Sequence, residues 1–265
     1  MLRPRLPDNA YLKTASMAAA ATTDHPGFLL TYALRLLRVL VLLALWRYVL
    51  VDRVNSGPLS LAGVLTYTLI AEVFAEQLNV RTSLNLAFWE GTLVIRFLRP
   101  MGLVRQLSAE MVGPWCIDFV LFSLPLLAMA PLLGVDPRPV SPGLGALFVV
   151  SLALAILVGL AMELITGAVI VGLDQPVWLI EWIRTAIALL LSGALLPLAY
   201  YPWGLGELFA WLPFAAMAWA PLAIYTAAGN PLTLLASQLV WLAVLWPFGV
   251  WLWDANREKL VSHGG

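Results

Sequence analysis

The chain has 265 residues, 62% of them hydrophobic and only 11% charged, and its formal net charge is zero. A soluble domain carries about 25% charged residues, so this surface is built for lipid rather than water, and a neutral chain has no electrostatic footprint for nucleic acid. A single cysteine, Cys116, excludes an intramolecular disulfide. The two histidines, His25 and His263, lie near opposite ends with no ligand cluster beside them, so no metal site is expected.

Residues 1–23 have no apolar core followed by a cleavage pattern, so no signal peptide is expected. This Ala-rich, polar stretch, with Met17 as a second candidate start, reads as part of a loosely ordered N-terminus over residues 1–27. A spanning helix needs about 20 mostly apolar residues, and the first candidate is 34–51. Its approach, HPGFLLTYALRLLRV, sets Arg35 and Arg38 against a leucine-rich side. That pattern fits an amphipathic elbow helix at the interface, or the start of the span with both arginines snorkelling. A polar turn at 52–58 leads to a second span at 59–78, which carries Glu72 and Glu76 on one helical face.

The charged stretch that follows interrupts the membrane pattern. Over residues 82–110, Leu86, Phe88, Trp89, Leu93, Val94 and Phe97 recur at helical spacing, Glu90, Arg96, Arg99 and Arg105 supply polarity, and Pro100 ends the helix expected at 84–98. This is too polar to span and predicts a surface amphipathic helix, a place for a soluble partner to push. The third span is 111–133, and a loop at 134–143 holds Pro137, Pro139 and Pro142. The fourth, 144–172, is longer than one bilayer requires, so it tilts or protrudes. Its Ser151, Ala155, Gly159, Glu163 and Gly167 form a stripe that lets another helix approach closely. After a turn at 174–176 the fifth span is 178–198. Residues 192–231 are apolar yet broken by Pro197, Pro202, Pro213 and Pro221, which predicts a re-entrant hairpin of two short helices packed on protein. The last span is 232–253, followed by a charged tail at 254–265.

The fold class expected is therefore an all-α polytopic membrane protein with six transmembrane helices in one domain, 28–253. With six spans, Arg3, Arg5, Lys13, Arg35, Arg38, Arg81, Arg96, Arg99, Arg105, Arg184, Arg257 and Lys259 share one side, against Arg47, Arg53 and Arg138 on the other. The positive-inside rule then puts both termini and the 84–98 segment in the cytoplasm. A seventh span at 203–225 would place the basic tail outside.

No catalytic constellation is visible. Lys13 precedes Thr14, but Leu12 and Pro7 stand where a phosphate-binding loop needs glycine, and Lys259 precedes Leu260, so this chain does not bind ATP by that motif. The acids within spans, Glu72, Glu76, Asp118 and Glu163, lie toward the inner ends. They read as partners of Arg81, Arg96, Arg99 or Arg105, or alternatively as a proton or substrate relay. Glu181 and Arg184 read as a local pair on one helix face.

Three stretches resemble the six-span permease subunits of ABC exporters, the ABC-2 family, in its bacterial antibiotic- and viologen-export branch. They are EGTLVIRFLRP (90–100), SGALLPLAYYP followed by LPF and AP (192–221), and the terminal His263-Gly264-Gly265. The resemblance implies a bacterial inner-membrane protein that binds no cofactor itself, with ATP and Mg held by a partner cytoplasmic ABC ATPase. It implies a second permease, identical or a sibling, with the first and fifth spans lining the seam, and a hydrophobic or lipid-like substrate. It makes the 84–98 segment the ATPase-coupling helix, through Leu86, Trp89, Glu90, Gly91, Arg96, Phe97, Leu98, Arg99 and Pro100. It makes the hairpin, through Gly193, Pro197, Tyr201, Pro202, Pro213, Phe214 and Pro221, an outer gate. The alternatives are a proton-coupled secondary transporter, a membrane-embedded lipid enzyme and a cargo-less assembly subunit.

Overall fold

The computed structural model describes residues 10–24, 26–51, 59–99, 101–173 and 176–256. The polar turn at 52–58, Pro100, Asp174 and Gln175, both histidines and the glycine-pair ending lie outside them. The described residues are helical, without strands: α1 (Ala10–Thr23), α2 (Phe28–Val49), α3 (Leu61–Val73), α4 (Ala75–Leu78), α5 (Leu84–Trp89), α6 (Leu93–Leu98), α7 (Leu103–Asp118), α8 (Leu124–Met129), α9 (Pro142–Leu173), α10 (Val177–Leu191), α11 (Leu205–Ala210), α12 (Pro213–Met217), α13 (Trp219–Tyr225) and α14 (Pro231–Ala255). A π-helical turn, Phe119–Ser123, joins α7 to α8 into one rod.

Several starts are written locally. Ser60 accepts a hydrogen bond from the Gly63 amide at 3.1 Å, Ser141 from Leu144 at 3.2 Å, and Asn230 from Leu232 at 3.0 Å. In the last two cases proline follows the cap, at the position where its missing N–H has no helical partner to lose. Four helical stretches are long and apolar enough to cross a membrane: Phe28–Val49, Leu103–Met129, Pro142–Leu173 and Pro231–Ala255. The stretches expected as second and fifth spans are shorter, α3 breaking at Phe74 and α10 ending at Leu191.

The helices run between two ends of a bundle. At one end the Arg47 guanidinium donates to the Leu133 carbonyl, Thr66 to the Asp136 carbonyl at 2.8 Å, Tyr200 to the Leu59 carbonyl at 3.0 Å and Tyr225 to the Pro137 carbonyl at 2.5 Å. At the other end lie residues 28–38, 72–99, 101–110, 163–173, 176–184 and 253–256, tied by the ion pairs described below. Helix α9, about 48 Å long at 1.5 Å per residue, is the central pillar. Its Ser151, Ala155 and Glu163 are buried, and a Cβ at Gly159 would fall 2.7 Å from Val80. Gln238 on α14 crosses to this pillar: it accepts from the Ser151 hydroxyl at 2.8 Å and donates to the carbonyls of Ser151 at 3.0 Å and Ala216 at 2.8 Å. Such polar cross-links hold helices together where hydrophobicity alone gives no drive to associate.

Three expectations change. Residues 10–23, expected to be loosely ordered, form α1 and lie along α7, so close that a Cβ on Gly113 would sit 2.0 Å from the Ala15 carbonyl oxygen. Its alanines make it a good helix former, and Gly113 clears the groove. The elbow is not a separate helix: α2 is continuous from Phe28 to Val49, because Arg35 and Arg38 meet carboxylates from other helices instead of headgroups. The third span begins at Leu103, eight residues earlier than its apolar run, since its polar first turns are satisfied by the preceding segment.

Candidate functional site

The segment expected to be one amphipathic helix over residues 84–98 is two. Gly91 adopts φ +66°, its amide donates to the Phe88 carbonyl at 3.2 Å, and the next amide, Thr92, reaches back to Ala87 at 2.9 Å. That pair of bonds is a Schellman cap, which needs a left-handed residue and so favours glycine. On the inner side Leu84, Ala87 and Leu93 are buried, and Leu84 fills the space left by Gly167, where a Cβ would come 2.4 Å from it. Phe88 stacks on Trp253 at 6.5 Å, and Phe97 meets the same indole edge-on at 6.4 Å. On the outer side Leu86, Ile95 and Phe97 are about half exposed, Trp89 is 72% exposed and Leu98 79% exposed.

Polar bonds tie this segment to the bundle. Arg96 Nη1 donates to Glu110 at 2.8 Å and its Nη2 to the Ser83 hydroxyl at 3.1 Å, while Ser83 itself donates to Glu110. Arg99 adds a looser ion pair to Glu110 at 3.5 Å. The Gln106 amide donates to the carbonyls of Arg96 at 2.8 Å and Met101 at 2.5 Å. Glu110 and Gln106 were not singled out in the sequence. Their signal was a polar pair within a helix turn of the third apolar run, facing the arginines of 96–99.

The acids within the bundle are paired, but not with the expected arginines. Glu163 Oε2 accepts from both the Thr82 amide at 2.8 Å and the Thr82 hydroxyl at 2.9 Å, and Arg184 of α10 lies 2.8 Å from its other oxygen. Arg184 also meets Glu181 at 3.4 Å, the local pair expected from spacing. Glu72 pairs with Arg38 at 2.5 Å. Arg35 donates to Asp118, lies 3.8 Å from Glu76 and sits 4.1 Å over the Phe122 ring. Arg96 and Arg99 serve Glu110 instead. The long-range partners Arg35, Arg38 and Arg184 come from helices distant in sequence, which spacing along one chain cannot reveal.

Residues 192–231 are broken as the prolines require, but into three short α-helices and two 3-10 turns rather than two helices. Gly193 has φ +78°, and its carbonyl accepts the Tyr67 hydroxyl at 2.7 Å. The Trp219 amide donates back to Ser192 at 2.8 Å. Pro197 precedes the turn Leu198–Tyr200, Pro202 opens the turn Pro202–Gly204, Pro213 opens α12 beside half-buried Phe214, and Pro221 lies in the first turn of α13. None of these positions costs a helical hydrogen bond. Tyr201 donates to the Leu190 carbonyl at 2.7 Å and packs against Phe209 at 5.3 Å. The carboxylates of this end of the bundle and the exposed apolar rim of 84–98 are thus brought together, while the broken segment lies at the opposite end.

No curated protein and no solved structure matches the chain. The family model for ABC-2 family transporter proteins matches residues 59–264, well over half of the sequence and taking in both the 84–98 segment and the broken stretch. The chain therefore belongs to the ABC-2 transporter family.

Proposed function

We propose that this chain is the membrane subunit of an ATP-driven exporter of the antibiotic- and viologen-export branch. It moves amphipathic, hydrophobic or lipid-like molecules outward by alternating access. A separate cytoplasmic ABC ATPase carries ATP and Mg, and a second permease, identical or a sibling, completes the seam. The chain crosses the bacterial inner membrane six times with both termini cytoplasmic, α3–α4 and α10 making the shorter passes. The end rich in arginine faces the cytoplasm.

The observation that carries this reading is the two-sided character of residues 84–98. One side is locked to α9, α7 and α14, and the other presents Leu86, Trp89 and Leu98 to the surroundings. An apolar rim held rigidly on a polar end suits a groove in a soluble partner. Arginines at ion-pair distance from Glu72, Glu76, Asp118 and Glu163 suit fixed contacts better than a proton relay. Movement of the rim passes to the bundle through Arg96–Glu110 on α7 and through Thr82–Glu163–Arg184 on α9 and α10. The broken stretch 192–231 acts as the outer gate.

The test is gentle purification of the tagged chain with its partners, followed by vesicle transport assays of wild type and Leu98→Asp. An ATPase co-purifies with wild type, and Leu98→Asp keeps the fold while transport falls at least tenfold. A chain isolated alone, with transport driven by a pH gradient, overturns the reading.

A further inference from the structure

A cavity of about 440 Å³ opens where α1, α2 and α7 meet, beside Glu76. Ala21 and Thr22 of α1 close one side. Its aromatic walls are Phe28, Tyr32 and Trp115, and its charged groups are Arg35, Glu76 and Asp118. The volume falls in the range of small-molecule sites, which are mostly apolar with a few placed polar groups.

Among the charged groups that line the cavity the cation is committed, and the carboxylates outnumber it. The Arg35 guanidinium is committed to Asp118, to the Glu72 carbonyl at 3.4 Å, to Glu76 and to the Phe122 face. The Asp118 side chain is only 8% exposed. The Tyr32 hydroxyl is within reach of that carboxylate as a donor, but no donor lies at full hydrogen-bonding distance of the buried Asp118 Oδ2. Glu76 is half exposed and touches Arg35 only loosely, at 3.8 Å. Arg38 is held by Glu72, and Arg81 acts on Glu76 more weakly than Arg35 does. A buried carboxylate oxygen without a donor is costly. An anion entering this cavity would meet two carboxylates, and a neutral apolar guest would leave Oδ2 unpaired. A cation with N–H donors satisfies Asp118 and Glu76, and the aromatic faces attract it further.

We propose that this cavity binds the ammonium end of an amphipathic amine, with Asp118 and Glu76 accepting its N–H hydrogen bonds and Phe28, Tyr32 and Trp115 walling its apolar stem. The ammonium group comes either from a soluble amine or from an aminophospholipid headgroup. The site is read on this chain alone, so its test is independent of any ATPase or transport.

The experiment is equilibrium dialysis of benzylammonium against the full chain in phosphatidylglycerol nanodiscs, with empty discs subtracted. The expected result is saturable binding of one amine per chain, with benzyl alcohol and benzoate showing none. Affinity falls at least tenfold in Asp118→Asn and at least threefold in Glu76→Gln and Trp115→Leu. Because Asp118 also holds Arg35, the deciding variants are Glu76→Gln and Trp115→Leu, whose side chains are less buried. No saturable binding to wild type, or binding unchanged in both Glu76→Gln and Trp115→Leu, overturns the site. Adding phosphatidylethanolamine to the discs then separates the sources. Weakened benzylammonium binding assigns the site to a lipid headgroup, and unchanged binding assigns it to a soluble amine.

Discussion

Glu163 and Arg184 form the most deeply buried ion pair among the described residues, at 2% and 7% exposure. They also hold the residue just before the 84–98 segment, since Glu163 accepts hydrogen bonds from both the amide and the hydroxyl of Thr82. Breaking a buried pair by removing one partner costs about 3–5 kcal/mol, because the survivor is left uncompensated. Arg184→Met leaves Glu163 with its two Thr82 bonds, which places this variant near the lower figure, about 3 kcal/mol. Glu163→Leu strands both Arg184, with only Glu181 at 3.4 Å, and the two Thr82 donors, which places it near the upper figure, about 5 kcal/mol. The double variant removes both charges of the pair, strands the Thr82 donors and leaves Glu181 without Arg184, at about 1–3 kcal/mol. The two single costs therefore exceed the double by about 5–7 kcal/mol on these figures, above the ~0.5–3 kcal/mol usual for residues in one network. Unfolding of the purified chain in mixed micelles with rising dodecyl sulfate, followed by tryptophan fluorescence, completes the cycle. Hydrogen exchange at the Thr82 amide should quicken in Glu163→Leu and stay slow in Arg184→Met. Single costs that add to within about 0.5 kcal/mol of the double, as independent sites do, would refute the reasoning.

Two further perturbations probe the close approaches. Gly113→Leu puts side-chain atoms where the Ala15 carbonyl lies, so α1 should leave α7 while the rest of the bundle holds; limited proteolysis should then cut within residues 10–24, a cut expected to be absent in wild type. Gly91→Val forces a β-branched residue to φ +66°, at a cost of about 1–2 kcal/mol. With nothing within 4 Å of a Cβ there, the loss is in the backbone alone, read as a lowered unfolding midpoint that Gly91→Asn partly restores.

The helical, lipid-facing character of the chain was legible because it rests on composition and on apolar runs, which no tertiary contact has to supply. Two helix starts, expected at 144 and 232 from the apolar runs, fall within two residues of the observed Pro142 and Pro231, where Ser141 and Asn230 supply the caps. The fate of residues 84–98 was half legible. The periodicity is real, but the turn FWEGT ends a helix at Gly91, and the weight of the surrounding apolar pattern hid it. The ion pairs were the least legible. Arg35 and Asp118 are 83 residues apart, and no rule of spacing on a single helix joins them. Helix α1 was missed for a related reason: its hydrophobicity is slight, and what orders it is a groove over Gly113 on a helix far along the chain.

The arrangement of charge follows from what each partner can tolerate. An arginine on α2 with nothing opposite would have to snorkel outward, bending its long side chain toward headgroups. Glu72 and Asp118 would have to stay neutral or remain at the interface, because an unpaired carboxylate at membrane depth is costly. Pairing Arg38 with Glu72 and Arg35 with Asp118 removes both constraints, and it fixes α2 against α3 and α7 in a single rotation. The same logic at Glu163 joins α9, α10 and the start of the 84–98 segment, and at Glu110 it joins the end of that segment to α7. The exposed rim is therefore pinned at both ends to different helices. A push from the proposed partner on Trp89 or Leu98 would not be absorbed by sliding the segment along the surface. It must either turn α7 relative to α9 and α10 or break an ion pair, and the buried pair is the more expensive of the two.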